Sequence, residues 1–189
     1  MTIKQKIKFH LDNKKYCKVK RQVANDSFEY SNGYIVDESD NFVLMQEADE
    51  FRVLGYMVFH VSTIVQIRFN NNDKYYDKIM LWEKEVDNVS KKHKIDLTDW
   101  TTIFRTIKKA GFNVIIENEN PEDYSFDIGP ITKTIQNAVY IKYFNAKGYL
   151  NNQSTKITFD KITIAKFDDH YINVFSKYLR QRKPKGKKA

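Results

Sequence analysis

The stretch Gly33-Tyr-Ile-Val-Asp-Glu-Ser-Asp-Asn-Phe-Val-Leu-Met45 reads a second time, 96 residues on, as Gly129-Pro-Ile-Thr-Lys-Thr-Ile-Gln-Asn-Ala-Val-Tyr-Ile141. In each copy a glycine opens an apolar run, an asparagine follows eight residues later, and alternating apolar residues come after it. Ser27-Phe28-Glu29 and Ser125-Phe126-Asp127 extend the match upstream, and Val61–Phe69 meets Phe159–Phe167 downstream at an offset of 98. The first copy runs from Ser27 to about Leu81 and the second from Ser125 to about Leu179. Self-similarity on this scale marks one supersecondary unit used twice. A chain of 189 residues has room for two such units.

The runs between Gly, Asn and Asp are short and alternate, which predicts strands. In the first copy they fall at 16–23, 34–37, 42–46, 55–60 and 64–69. In the second they fall at 112–117, 126–134, 138–144, 156–159 and 162–167. Strand 16–23 is matched to 112–117 because both begin 17 residues before the shared glycine. Leu97, Trp100, Ile103, Phe104 and Ile107 predict a helix over 98–110, with Asp96 as its N-cap and Gly111 just past its end. A second helix is expected over 74–90. A third carries Tyr171, Val174, Phe175, Tyr178 and Leu179 at helical spacing. Residues 2–12 fit a helix by the repeat, although Ile7, Phe9 and Leu11 also alternate. The expected fold is mainly β with α (α+β): two tandem small bent antiparallel β-barrels, each with flanking helices. The units are placed at 1–90 and 91–179, and 180–189 is expected to form a disordered basic tail.

Gly33-Tyr-Ile-Val-Asp37 with Asn41-Phe-Val-Leu44, and Gly129-Pro-Ile131 with Asn137-Ala-Val139, resemble the first motif of the Sm-like family. In that family a helix precedes five bent strands. Here the Gly-to-Asn spacing is shorter than the family's. Ile67-Arg-Phe69 and Ala165-Lys-Phe167 stand where the family carries an Arg-Gly pair. The resemblance implies a small barrel in each unit, RNA binding, and assembly into rings.

Hydrophobic residues make up 41% of the chain, enough for real cores, and with 6 Gly and 3 Pro it is not a low-complexity sequence. Cys17 is the single cysteine, so no internal disulfide is possible, and no apolar run reaches the length of a membrane span. The expectation is a cytoplasmic protein with no membrane association. The net charge of +8 is unevenly spread: residues 1–22 carry +7, residues 180–189 carry +6, and the body between is acidic. Residues 26–50 hold eight acidic residues and no Lys or Arg.

Asp37-Glu38-Ser39-Asp40-Asn41 lacks the spacing of a calcium loop and reads as a solvated turn. His10, His60, His93 and His170 have no metal-like spacing, so no metal is expected. No phosphate loop, dinucleotide fingerprint or nucleophile elbow occurs. The expectation is a non-enzyme without cofactors. The basic segments point to nucleic acid, as RNA or single strands. Lys18 and Lys20 alternate with Cys17 and Val19, placing the lysines together on one face, with Arg21 following. The tail offers Arg180, Arg182, Lys183 and Lys185 for phosphates. Tyr140 and Lys142, with Lys133 nearby, offer stacking and charge. Against this, lysines commonly form no more than a solvated face, and tyrosines a barrel's cover. The alternative is a regulatory protein that binds a charged protein partner, or self-associates through its acidic 26–50 stretch and basic ends.

Overall fold

A computed structural model describes residues 1–181, and ten strands and four α-helices lie within them. The first half runs α1 (Ile3–Asn13), β1 (Tyr16–Ala24), β2 (Ser27–Glu38), β3 (Phe42–Asp49), β4 (Arg52–His60), β5 (Ile64–Arg68) and α2 (Asn71–Trp82). The second repeats that order: α3 (Trp100–Lys109), β6 (Asn113–Asn118), β7 (Ser125–Ile135), β8 (Ala138–Ile141), β9 (Thr155–Thr158), β10 (Ile164–Phe167) and α4 (His170–Ser176). A 3₁₀ turn precedes the last strand of each half, at Val61–Thr63 and Phe159–Lys161.

The strands form one sheet in the order β5-β1-β2-β3-β4-β10-β6-β7-β8-β9, and every ladder is antiparallel. The fold is therefore α+β, as expected. The sheet is open and continuous, whereas two separately closed barrels were expected, because β4 of the first half hydrogen-bonds to β10 of the second. Internal strand order is the same in both halves.

The repeat holds in detail. Gly33 and Gly129 both take φ +149. A Cβ at Gly33 would lie 2.0 Å from the Gln46 carbonyl oxygen, and one at Gly129 would lie 2.3 Å from that of Lys142. Only glycine permits both the angle and the approach, which is how β2 and β7 bend. Each strand also carries a bulge two residues further on, between Ile35 and Asp37 and between Ile131 and Lys133. The backbone carbonyls of Asn41 and Asn137 accept from Val61 and Phe159, closing equivalent turns.

One correspondence shifts by a residue. Cys17 pairs with Gly33 and Val114 with Gly129, so the first strands are related by 97 residues and not 96. The leading helices follow, since their N-caps are Thr2 and Asp99. Asp99 displaces the expected Asp96, which instead closes a local turn by accepting from Thr98 N and Oγ1. Residues 3–13 are helical, started by a Thr2–Gln5 capping box. The expected 74–90 helix stops at Trp82, and Lys84 in the left-handed region leads into a 3₁₀ turn over Glu85–Asn88. The last helix ends at Ser176, short of Tyr178 and Leu179.

Three apolar clusters result. Ile7, Cys17, Val19, Ile35, Met45, Phe59 and Ile67 form the core between α1 and the strands of the first half. Ile115, Ile128, Phe144, Leu150 and Ile172 pack α4 onto the second. The largest cluster joins the halves: Leu44, Tyr56 and Val58 on the outer side of β3 and β4 meet Ile95, Leu97, Trp100, Ala165 and Phe167.

Candidate nucleic-acid interface

On β1, Cys17 and Val19 point inward and Lys18 and Lys20 point outward, as period-2 alternation requires. Lys18 Nζ lies 4.9 Å from the centre of the Tyr30 ring, and Lys20 Nζ lies 3.8 Å from that of Phe28. Both rings are exposed, and β2 supplies them at alternate positions. These aromatic partners were not among the expected site residues. The signal was available, since Phe28 and Tyr30 share the spacing of Lys18 and Lys20.

Arg21 does not join them. By the same alternation it faces inward, and it is 1% exposed. Its Nη1 and Nη2 donate to Glu119 at 2.7 and 2.8 Å, and its Nε donates to Ser31. Glu119 also accepts from Thr163 Oγ1. Arg21 thus fastens one half to the other, and its charge is spent within the protein.

The second group lies at the far end of the sheet. Lys133 of β7, Tyr140 of β8 and Lys156 of β9 stand opposite one another across three strands. Lys133 Nζ is 5.8 Å from the Tyr140 ring centre. Lys142 follows β8, with its backbone N–H donating to Pro130. The equivalent row in the first half is Asp37, Leu44 and Val58. Leu44 and Val58 are fully buried under the second half, whereas among the described residues nothing comparable covers Lys156, which is exposed, or Tyr140, which is half-buried. The repeat thus carries apolar residues where this face is covered and cationic and aromatic residues where it is open. Lys156 was missed in the sequence, although aligning Val58 with it by the offset of 98 would have found it.

At the end of the described chain, Arg180 is held in place. Its N–H donates to Gly148, its carbonyl accepts from Leu150, and its guanidinium stacks 4.3 Å from the Tyr149 ring centre. Arg182, Lys183 and Lys185 lie outside the described residues.

The acidic stretch does not form one face. Asp37 pairs with Lys91 and Asp40 with Lys4, while Asp26, Asp49 and Glu50 are exposed at hairpin turns. Glu47 instead lines a cleft of about 460 Å³ at the β4–β10 joint, with Glu29, Glu117, Glu119, Tyr124 and Lys166 among its walls. Burial pushes the Glu47 carboxyl above the usual carboxylate range, and nearby Lys166 only partly opposes this. The cleft is a poor place for a polyanion. Among the described residues, no group of three or more His, Cys, Asp or Glu side chains is placed to hold a metal ion. No helix among them is long and apolar enough to cross a membrane.

No protein-family model matches this chain, and no curated protein or solved structure was found to match it.

Proposed function

We propose that this chain is a non-catalytic nucleic-acid-binding protein, built from two Sm-like units, that takes RNA or other single strands on its open cationic faces. The observation that carries the reading is the row Lys133–Tyr140–Lys156, set against its buried counterpart of Leu44 and Val58. An aromatic ring between two lysines offers a base a stacking surface and its phosphates two charges. Lys142 lies beside this row. Lys18 and Lys20, with Tyr30 and Phe28, form a second face of the same chemistry. Arg180, Arg182, Lys183 and Lys185 add charge without sequence preference. A helix followed by five antiparallel strands, with a glycine at the bend of the second, is the element order that the Sm-like resemblance implies for each unit.

The test is fluorescence anisotropy with a mixed-sequence single strand of about 20 nucleotides at about 50 mM salt, where counterion release favours binding most. Tyr140→Ala is expected to weaken binding about tenfold, in line with roughly 1–3 kcal/mol per stacked base. Lys133→Gln/Lys156→Gln should flatten the slope of log affinity against log salt by about 1.4, at about 0.7 per phosphate contact. No detectable binding at that salt would sink the reading.

The acidic cleft at the joint favours a second reading, a regulatory protein that docks a basic protein segment. Pull-down with a lysine-rich peptide, against the same protein carrying Glu47→Gln/Glu117→Gln, separates the two.

A further inference from the structure

The joint inside this chain pairs non-equivalent edges: β4 of one unit meets β10, the counterpart of β5, in the other. Such a heterologous pairing leaves a complementary edge at each end, and nothing in its geometry limits it to two units. The edges left over are β5 and β9, and neither has a second strand partner among the described residues. Each keeps its counterpart's register toward its inner neighbour: Ile67 opposes Val19 as Ala165 opposes Ile116, and Lys156 opposes Tyr140 as Val58 opposes Leu44. Val58 opposes Ala165, Met57 opposes Lys166 and Tyr56 opposes Phe167. Moved on by 98 residues, the same joint between two copies would set Lys156 against Ile67, Thr155 against Arg68 and Ser154 against Phe69.

The side chains no longer fit that joint. Inside the chain, Tyr56 and Phe167 stack at 5.3 Å, and Val58 and Ala165 are fully buried. Between copies, Ser154 would replace the stacking tyrosine and Lys156 would replace Val58. The lysine would then lie against Ile67, which is buried, with Arg68 next to it already paired to Asp73. Lys6, whose Nζ donates to the Ile67 carbonyl, adds a further charge at the β5 edge. Lys133, two strands in from β9 across Tyr140, adds a charge on the same face, while Lys161 is paired with Asp123. Charged residues on an open edge are a common means of preventing strand-to-strand association.

We infer that the two free edges form a latent head-to-tail interface for a second copy of this chain, held shut by like charge and by the loss of the apolar contacts that close the internal joint. The inference concerns the edges alone and does not depend on nucleic-acid binding.

Sedimentation velocity tests it directly. The wild-type chain should remain a monomer at about 50 mM salt. The variant Tyr140→Leu/Ser154→Tyr/Lys156→Val, which restores the first unit's residues at two half-buried positions and one exposed one, should form dimers and larger species. The register is tested by adding Arg68→Cys/Thr155→Cys to both backgrounds, since residues directly opposite on paired strands come within disulfide reach. Oxidation should link copies in the triple variant and leave the otherwise wild-type background unlinked. Assembly of the wild-type chain at low salt, linkage in both backgrounds, or a triple variant that stays monomeric would each overturn the inference.

Discussion

Replacing Arg21 with methionine should destabilise the protein more than any surface change, and the structure sets the size of the effect. Glu119 accepts three side-chain hydrogen bonds, two from Arg21 at 2.7 and 2.8 Å and one from Thr163 at 2.7 Å. Arg21→Met removes two of the three and leaves a carboxylate that is only 13% exposed without its counter-charge. Breaking one side of a buried ion pair costs about 3–5 kcal/mol, because the remaining charge stays desolvated. At a urea dependence of about 2–3 kcal/mol per molar, the unfolding midpoint should fall by about 1–2 M. Replacing both partners with apolar groups of similar length removes the stranded charge. Arg21→Met/Glu119→Met should therefore lie within about 1 kcal/mol of the wild type or above it. Urea unfolding of the four proteins completes the cycle: with Glu119→Met stranding the buried Arg21 at a similar cost and the double variant near neutral, a coupling of at least about 5 kcal/mol is expected. The reasoning fails if Arg21→Met costs less than about 1 kcal/mol, or if the double variant is no more stable than Arg21→Met alone.

Two further tests address the bend and the cleft. Gly129→Ala should cost more than about 3 kcal/mol, combining a backbone angle nearly closed to other residues with a Cβ 2.3 Å from a carbonyl oxygen. Gly111→Ala, at φ +85 with nothing within 4 Å, should cost only about 1 kcal/mol. Equal urea midpoints for these two variants would refute the steric account. At Glu47, burial raises the carboxyl pKa in the folded state above its usual 4.5. The folded state then holds the proton more tightly than the unfolded chain, so this group's contribution to stability falls as pH rises from about 4.5 through the raised value. Glu47→Gln should accordingly be more stable than the wild type at pH 7, with the gap closing toward pH 4.5. A gap that does not change with pH would contradict this.

The duplication, the α+β class and nearly every strand were legible in the sequence, because they depend on local rules. Alternation with period two places a side chain on one face or the other whatever the strand pairs with. Gly33 and Gly129 announce a bend that other residues cannot make. The same alternation separated Lys18 and Lys20 from Cys17 and Val19, and continued one residue further it would have turned Arg21 inward. Matching 16–23 to 112–117 errs by one residue because the two hairpins differ in strand and turn length, so Cys17 lies 16 residues before Gly33 and Val114 only 15 before Gly129.

The candidate site was less legible. Tyr140 and Lys142 are candidates from the strand pattern, but what distinguishes Tyr140 from Leu44 is whether another part of the chain covers it. That depends on β4 joining β10, a pairing between residues more than 100 positions apart that no local pattern encodes. The Arg21–Glu119 pair, separated by 98 residues, has the same origin. By itself the sequence determined most of the strands and the bends of each half, since strand periodicity and glycine geometry act over a few residues. Only the tertiary structure decided which outer face is buried at the joint and which is left open and cationic, because burial depends on the neighbours that folding brings together.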